Sequence, residues 1–139
     1  MQQLTLFRAL FLALLCAFFL SACHWGAKEE TVAKDYLIAI SKGNFDKAID
    51  MIYVPPDLEK DPSAHGKFKE NLHVMLGSMK RNFYDPNGGI ESIEFTGKTY
   101  AADKNQVNLQ YTVTFGNGSS KSSSINLVLI GKTWRIRAR

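Results

Sequence analysis

Two cysteines are the residues of this 139-residue sequence best suited to covalent chemistry, because a thiolate is both a nucleophile and a metal ligand. Cys16 and Cys23 lie seven positions apart in the stretch CAFFLSACHW. The spacing alone leaves a disulfide, a metal site and two unrelated residues as alternatives. Their surroundings differ, since Cys16 lies inside an apolar run and Cys23 lies where the sequence becomes polar. We therefore interpret the two cysteines separately.

The beginning of the chain has the parts of a secretory signal in their usual order. Residues 1–8 carry one positive side chain, residues 9–20 are apolar without interruption, and Ser21 and Ala22 are small. A helix of that apolar length rises only about 18 Å, whereas the hydrocarbon core of a bilayer is about 30 Å thick. We therefore predict a signal peptide over residues 1–22 and no membrane span.

The cleavage end of this segment, Leu20, Ser21, Ala22 and Cys23, resembles the lipobox of bacterial lipoproteins. The resemblance implies that Cys23 receives a diacylglycerol thioether and that the bond between Ala22 and Cys23 is cut. Several acyl chains on one residue give lasting membrane attachment. Cys16 would then be discarded, which leaves the exported chain without a disulfide. The alternatives are an ordinary signal peptide with an incidental cysteine and an uncleaved anchor.

This interpretation places the protein in the bacterial cell envelope, close to a lipid surface. Residues 23–28 form the lipidated cysteine and a tether, whose residues 24–28 span only about 17 Å when extended. The residue after the cysteine, His24, is not the aspartate that commonly retains lipoproteins at the inner membrane, so the resemblance implies the outer membrane, facing the periplasm. The net charge of +4 is too small for a nucleic-acid-binding protein.

Residues 29–139 form the predicted globular domain, and its first half has helical spacing. We expect a helix over residues 29–41, a left-handed cap at Gly43, and a short helix that Asn44 caps and that runs to residue 53. A third helix is expected from Asp61 as cap to about residue 84. The side chains placed on its apolar face are Phe68, Leu72, Met75, Leu76, Met79 and Phe83.

The second half has the period of two that is typical of strands. The clearest strand covers residues 107–115, with others predicted at 90–100, 125–130 and 133–137. Helices followed by an antiparallel meander predict an α+β fold in which N-terminal helices pack on a curved four-stranded antiparallel sheet.

The inner face of this sheet offers no group suited to acid–base catalysis. Its inward positions on the clearest strand are apolar except for Tyr111, which we expect to be a core ring with its hydroxyl at the rim. His65 and His73 are eight positions apart and lack the spacing of a helical metal site, and His24 lies in the tether. We therefore expect no catalytic residue, no metal and no cofactor. The aromatic interior is either plain core or a site for a small apolar ligand.

A basic stripe at the C-terminus is the remaining candidate for binding. It consists of Lys132, Arg135, Arg137 and Arg139, which alternate with the inward-facing Trp134 and Ile136 or flank them. These charges could contact anionic lipid headgroups or an acidic envelope protein. The alternative is a solvated strand face whose charges discourage aggregation.

The segment from Val32 to Ala48, with Gly43-Asn44-Phe45 at its centre, and the terminal hairpin resemble small bacterial lipoproteins with a cystatin-like roll. These are relatives of the ketosteroid-isomerase and nuclear-transport-factor-like cone fold. Such domains usually carry Asp or Glu after the glycine, where this chain has Asn44. The resemblance implies the cone fold but no common activity. We predict a lipid-anchored binding or scaffolding module, the alternatives being a binder of a small apolar ligand and a cone-fold enzyme.

Overall fold

The computed structural model describes residues 28–138. Its helices are α1 (Lys28–Ser41), α2 (Phe45–Asp50), α3 (Pro56–Glu59) and α4 (Pro62–Met79), and α4 continues as a π-helical turn (Lys80–Tyr84) and a 3-10 turn (Asp85–Asn87). The strands are β1 (Ile90–Tyr100), β2 (Gln106–Phe115), β3 (Ser120–Ile130) and β4 (Thr133–Ile136). They form one antiparallel sheet in the order β1-β2-β3-β4. The α+β fold and the four-stranded meander are confirmed.

The junction between α1 and α2 is a Schellman turn at Gly43. Its φ of 79° is left-handed, and the N–H groups of Gly43 and Asn44 donate to the carbonyls of Ile40 (3.0 Å) and Ala39 (2.8 Å). The predicted glycine cap is therefore confirmed. The predicted Asn44 cap is wrong in one respect, because the Asn44 side chain makes no capping hydrogen bond.

Helix α2 ends at Asp50 and does not reach the predicted residue 53. The chain instead becomes extended and pairs with the last strand, where Ile52 and Ile136 form a parallel bridge. The N–H of Tyr53 donates to the carbonyl of Ile136 at 2.7 Å, and the N–H of Ile136 donates to the carbonyl of Met51 at 2.8 Å. These bonds use backbone groups that a longer helix would have occupied.

Helix α4 begins as predicted. The Asp61 carboxylate accepts hydrogen bonds from the N–H groups of Ser63 (3.0 Å) and Ala64 (3.2 Å). The predicted apolar face is wrong at Met75, which is 43% exposed. Met75 lies about 100° around the helix from the fully buried Leu76, so it turns away from the core.

The alternation on β2 is confirmed, because its apolar side chains at residues 107–115 are all buried. Strand β3 begins five residues before the predicted start at 125, and Ser120 and Ser124 pair with Thr114 and Gln110 of β2. A run of serines has no apolar alternation, which is why the sequence pattern did not show this part of the strand.

The sheet owes part of its curvature to irregular pairing on β1. The register between β1 and β2 shifts between Ile90 and Ser92 and again between Phe95 and Gly97. Such bulges bend a strand and increase its twist. A Cβ at Gly97 would lie 2.6 Å from Oε1 of Gln110, so the second bulge brings the backbone close to a β2 side chain.

The hydrophobic core fills the space between the inner face of the sheet and α1, α2 and α4. Its largest fully buried side chains are Ile40, Leu76, Leu109 and Leu127, from four different elements. The helices thus cover one face of the sheet, as the pattern predicted.

Two glycines provide a matched test of the Schellman turn. Replacing Gly43 by alanine should lower the free energy of unfolding by about 1–2 kcal/mol, because a side chain disfavours the left-handed conformation. Replacing Gly66 by alanine should raise it by about 0.5–1 kcal/mol, because Gly66 lies within α4 and a Cβ there has no neighbour within 4 Å. Chemical denaturation of the full-length chain measures both free energies of unfolding. Equal effects of the two substitutions would contradict the left-handed Schellman turn at Gly43.

Candidate functional site

A pocket of about 240 Å³ opens between the end of α4 and the inner face of the sheet. We call it the cone pocket. Half of its lining residues carry aromatic rings, and Lys121 and Ser123 of β3 contribute polar groups. The rings are those of Phe83, Tyr84, Tyr111 and Phe115.

The rings hold one another in fixed geometry. Phe83 makes edge contacts with Tyr84 and Phe115, with ring centroids 5.3 Å apart in both pairs. Phe83 and Tyr84 are consecutive residues of the π-helical turn, and both line the pocket. Single π-helical turns are frequent at functional sites.

Two phenol groups in the pocket wall are available for hydrogen bonding. Tyr84 is 3% exposed and Tyr111 is 9% exposed, and neither hydroxyl has a hydrogen-bond partner among residues 28–138. Burial raises the pKa of Tyr84, and the nearby phenol of Tyr111 raises it further. Tyr84 is therefore neutral at physiological pH and can donate or accept a hydrogen bond. Neither oxygen is among the enclosed side-chain atoms that lack a partner in the described residues, so both hydroxyls are accessible in the pocket, where a ligand can bind them.

A positive charge lies beside this apolar pocket. The Nζ atom of Lys121 is 4.6 Å from the centroid of the Phe83 ring, within the range of a cation–π contact. The ammonium group of Lys121 is thus held near the pocket wall while the side chain is exposed. A ligand with an apolar body and a negatively charged end matches this arrangement.

A second polar cluster surrounds Glu29 in the first turn of α1. Glu29 is 6% exposed and is the buried charged residue of the described chain. Its Oε1 accepts hydrogen bonds from Nζ of Lys98 at 2.8 Å and from the hydroxyl of Tyr100, both on β1. Lys98 also forms an ion pair with Glu30 at 3.3 Å. The cluster joins the start of the helical layer to the end of β1.

The protonation states of the cluster follow from competing effects. Desolvation raises the pKa of Glu29, but the hydrogen bonds from Lys98 and Tyr100 outweigh it and hold the pKa below its ordinary value. Desolvation lowers the pKa of Lys98, but its bonds to the two glutamates outweigh it and raise the pKa. The hydrogen bond to Glu29 raises the pKa of Tyr100. Glu29 is therefore ionised at neutral pH, unlike a general acid or base with a pKa near 7.

Several predicted site residues lie outside the described part of the chain. These are the lipobox residues Leu20, Ser21, Ala22 and Cys23 and the last residue, Arg139. Within residues 28–138, no helix is both long and apolar enough to cross a membrane.

The described members of the basic stripe have different surroundings. Lys132 is exposed in the turn between β3 and β4. Arg135 is half-buried and its guanidinium donates to the carbonyl of Asp50, whereas the guanidinium of Arg137 donates to Oε1 of Gln106 at 2.8 Å. These two arginines thus have partners within the domain.

The histidines do not come together. Nε2 of His73 lies 2.9 Å from the Asp46 carboxylate on the exposed side of α4. Nε2 of His65 is buried without a partner among the described residues. In this part of the chain, no three His, Cys, Asp or Glu side chains are grouped to hold a metal ion.

Comparison with known proteins bears on the fold. No family model matches the sequence, and no curated protein matches it. A crystal structure from Campylobacter jejuni, of a protein provisionally named an NTF2-like transpeptidase, superposes with a TM-score of 0.67. The match covers 79% of this chain and 97% of that chain, at 17% sequence identity. The protein has the NTF2-like fold. The predicted cone fold is thereby confirmed.

The sequence did not show the two polar features of this NTF2-like cone. Glu29 lies in the first turn of α1, where the positive end of the helix dipole favours a carboxylate, and its partners are about 70 residues away on β1. Tyr84 was expected near the end of an ordinary helix. The one available signal for the cluster was a lysine and a tyrosine, Lys98 and Tyr100, two apart on one face of a predicted strand.

The Glu29 cluster should stabilise the fold in a pH-dependent manner. Replacing Glu29 by glutamine should lower the free energy of unfolding at neutral pH by about 1–3 kcal/mol, because Lys98 loses a charged partner. The Glu29 pKa is lower in the folded than in the unfolded state. The difference in free energy of unfolding between the native and variant proteins should therefore be largest above pH 4.5, the ordinary pKa of a glutamate. It should shrink as the pH falls below that value.

Denaturation of the full-length proteins at several pH values measures this difference. The control is Glu94→Gln, an exposed change on β1, the strand that carries Lys98 and Tyr100. It should alter the free energy of unfolding by less than about 0.5 kcal/mol. If Glu29→Gln lowers the free energy of unfolding by the same amount down to acidic pH, the ionised Glu29 carboxylate is not the source of the stabilisation.

Proposed function

We propose that this protein is a lipid-anchored protein of the bacterial envelope whose domain acts by binding a small ligand in the cone pocket. The ligand has an apolar body and an end that is negatively charged. The observation that carries the proposal is a pair of tyrosine hydroxyls on largely buried rings, which have no partner among the described residues and lie in an aromatic pocket beside Lys121.

The pocket dimensions support a small ligand. Its volume of about 240 Å³ lies a little below the range of roughly 300–1,000 Å³ that is usual for drug-sized molecules. The rings would bury the apolar body of the ligand. The hydroxyls of Tyr84 and Tyr111 and the ammonium of Lys121 would bind its polar end, since hydrogen bonds to charged groups are stronger than neutral ones.

Catalysis is the second candidate, because the Campylobacter neighbour is provisionally named a transpeptidase. Acyl transfer requires a nucleophile that a neighbouring base activates. Ser123 offers a hydroxyl in the lining of the cone pocket, but the described lining residues include no histidine and no carboxylate. Binding is therefore the function that the geometry of the pocket favours.

The lipid anchor can be tested with the two cysteines as a matched pair. In a bacterium that processes lipoproteins, Cys23→Ser should move the protein to the soluble fraction, because the acylated sulfur is lost. Cys16→Ser should leave it in the membrane fraction with an intact mass that includes acyl chains. Membrane retention of the Cys23→Ser variant would contradict lipid anchoring at this residue.

The pocket can be tested with phenylacetate as the probe and 2-phenylethanol as its uncharged counterpart. In NMR titrations of the full-length protein, phenylacetate should shift the resonances of Tyr84 and Tyr111. Lys121→Gln should weaken its binding about tenfold, because a charge-assisted contact is lost. The same change should leave the binding of 2-phenylethanol unaltered.

Two controls separate the site from general effects. Lys67→Gln removes the same charge from an exposed position on α4 and should not change phenylacetate binding. Tyr84→Phe keeps the ring and removes the hydroxyl, so it should weaken binding without unfolding the domain. Equal phenylacetate affinity in the native and Lys121→Gln proteins would overturn the proposed ligand class.

A further inference from the structure

The outer face of the sheet carries a row of polar side chains that crosses β1, β2 and β3 and reaches the residue after β4. Thr99 of β1 pairs with Asn108 of β2, which pairs with Asn126 of β3. The N–H of Arg137, just after β4, donates to the carbonyl of Asn126 at 2.9 Å and so continues the row. Val107 and Leu109 on β2 and Leu127 on β3 neighbour this row and are buried in the core, so the row lies on the opposite face.

These side chains are already ordered by bonds to one another. Nδ2 of Asn108 donates to Oδ1 of Asn126 at 2.8 Å, and both residues are half-buried. The guanidinium of Arg137 donates to Oε1 of Gln106 at 2.8 Å. Groups held in place before binding lose less conformational entropy when a ligand arrives.

The same bonds leave other hydrogen-bonding groups of these side chains unused. An asparagine amide has one acceptor oxygen and two N–H donors, so the pair of Asn108 and Asn126 keeps a carbonyl oxygen and an NH₂ group without a partner among the described residues. Gln106 likewise keeps its NH₂ group, and Arg137 keeps further N–H donors.

A surface depression of about 670 Å³ contains this row, within the size range of small-molecule sites. We call it the outer-face groove and define it by Thr99, Gln106, Asn108, Asn126 and Arg137. None of the described residues that line it is acidic, and Arg137 is the charged one. A ligand for this surface would be hydroxyl-rich and carry one negative charge.

We propose that the outer-face groove binds a saccharide that carries a carboxylate. The amides of Asn108 and Asn126 would bind its hydroxyl groups through their free acceptor and donor. The planar guanidinium of Arg137 would bind the carboxylate, which its fork of donors matches. The groove lies on the opposite face of the sheet from the cone pocket, and this inference does not depend on the ligand proposed there.

The experiment is an NMR titration of the full-length protein with glucuronate, with glucose as the uncharged counterpart. Glucuronate should shift the side-chain NH₂ resonances of Asn108 and Asn126 and bind about tenfold more tightly than glucose, because one charge-assisted bond is added. Arg137→Gln should remove this preference, so that the variant binds glucuronate and glucose with equal affinity. Lys132→Gln, an exposed change of equal charge, should have no effect on either sugar.

Three results would overturn the proposal: no shift of the two asparagines with glucuronate, equal affinity for the two sugars, or equal losses in the Arg137→Gln and Lys132→Gln variants. The backbone spectrum of each variant shows that it is folded.

A glucuronate-containing disaccharide distinguishes the source of the ligand. Tighter binding than the monosaccharide supports a polysaccharide, and weaker binding supports a free acidic sugar. Shifts confined to Tyr84 and Tyr111 would place the saccharide in the cone pocket and would also overturn the groove assignment.

Discussion

The backbone pairing between the segment after α2 and the last strand holds the two halves of this fold together. Two hydrogen bonds connect Ile136 to Met51 and Tyr53, and Ile52 and Ile136 are both 2% exposed. The pairing covers the outer edge of β4, which would otherwise present unpaired N–H and C=O groups. It thereby ties the helical layer to the sheet, the two layers from which the wall of the cone pocket is built.

The sequence predicted those elements whose signal is local. The alternation on β2 required only that every second side chain be apolar, and the Asp61 cap and the Gly43 turn each depend on one residue type at a helix end. The pairing of Ile52 with Ile136 had no such signal, because its partners are separated by most of the domain. Helix α3 was also not predicted, since four residues are too few to establish a period.

The candidate sites were less predictable than the fold for the same reason. A π-helical turn has no distinctive composition, so the joint placement of Phe83 and Tyr84 in one wall could not be inferred. The burial of Glu29 is decided by β1, where Lys98 supplies the charge that makes an ionised carboxylate tolerable in the interior. Helical spacing alone places Glu29 in an exposed first turn. Long-range charge pairing therefore overrode the local pattern.

The bulged strand β1 has a consequence for neighbouring molecules. It is an edge strand of the sheet, and its register with β2 shifts at two places. It is therefore a poor template for pairing with a strand of another molecule. Glu91 and Glu94 are exposed along it, so a second copy that approached in register would meet like charges. The exposed carboxylates and the bulges of β1 therefore disfavour edge-to-edge pairing of this strand between copies of the protein.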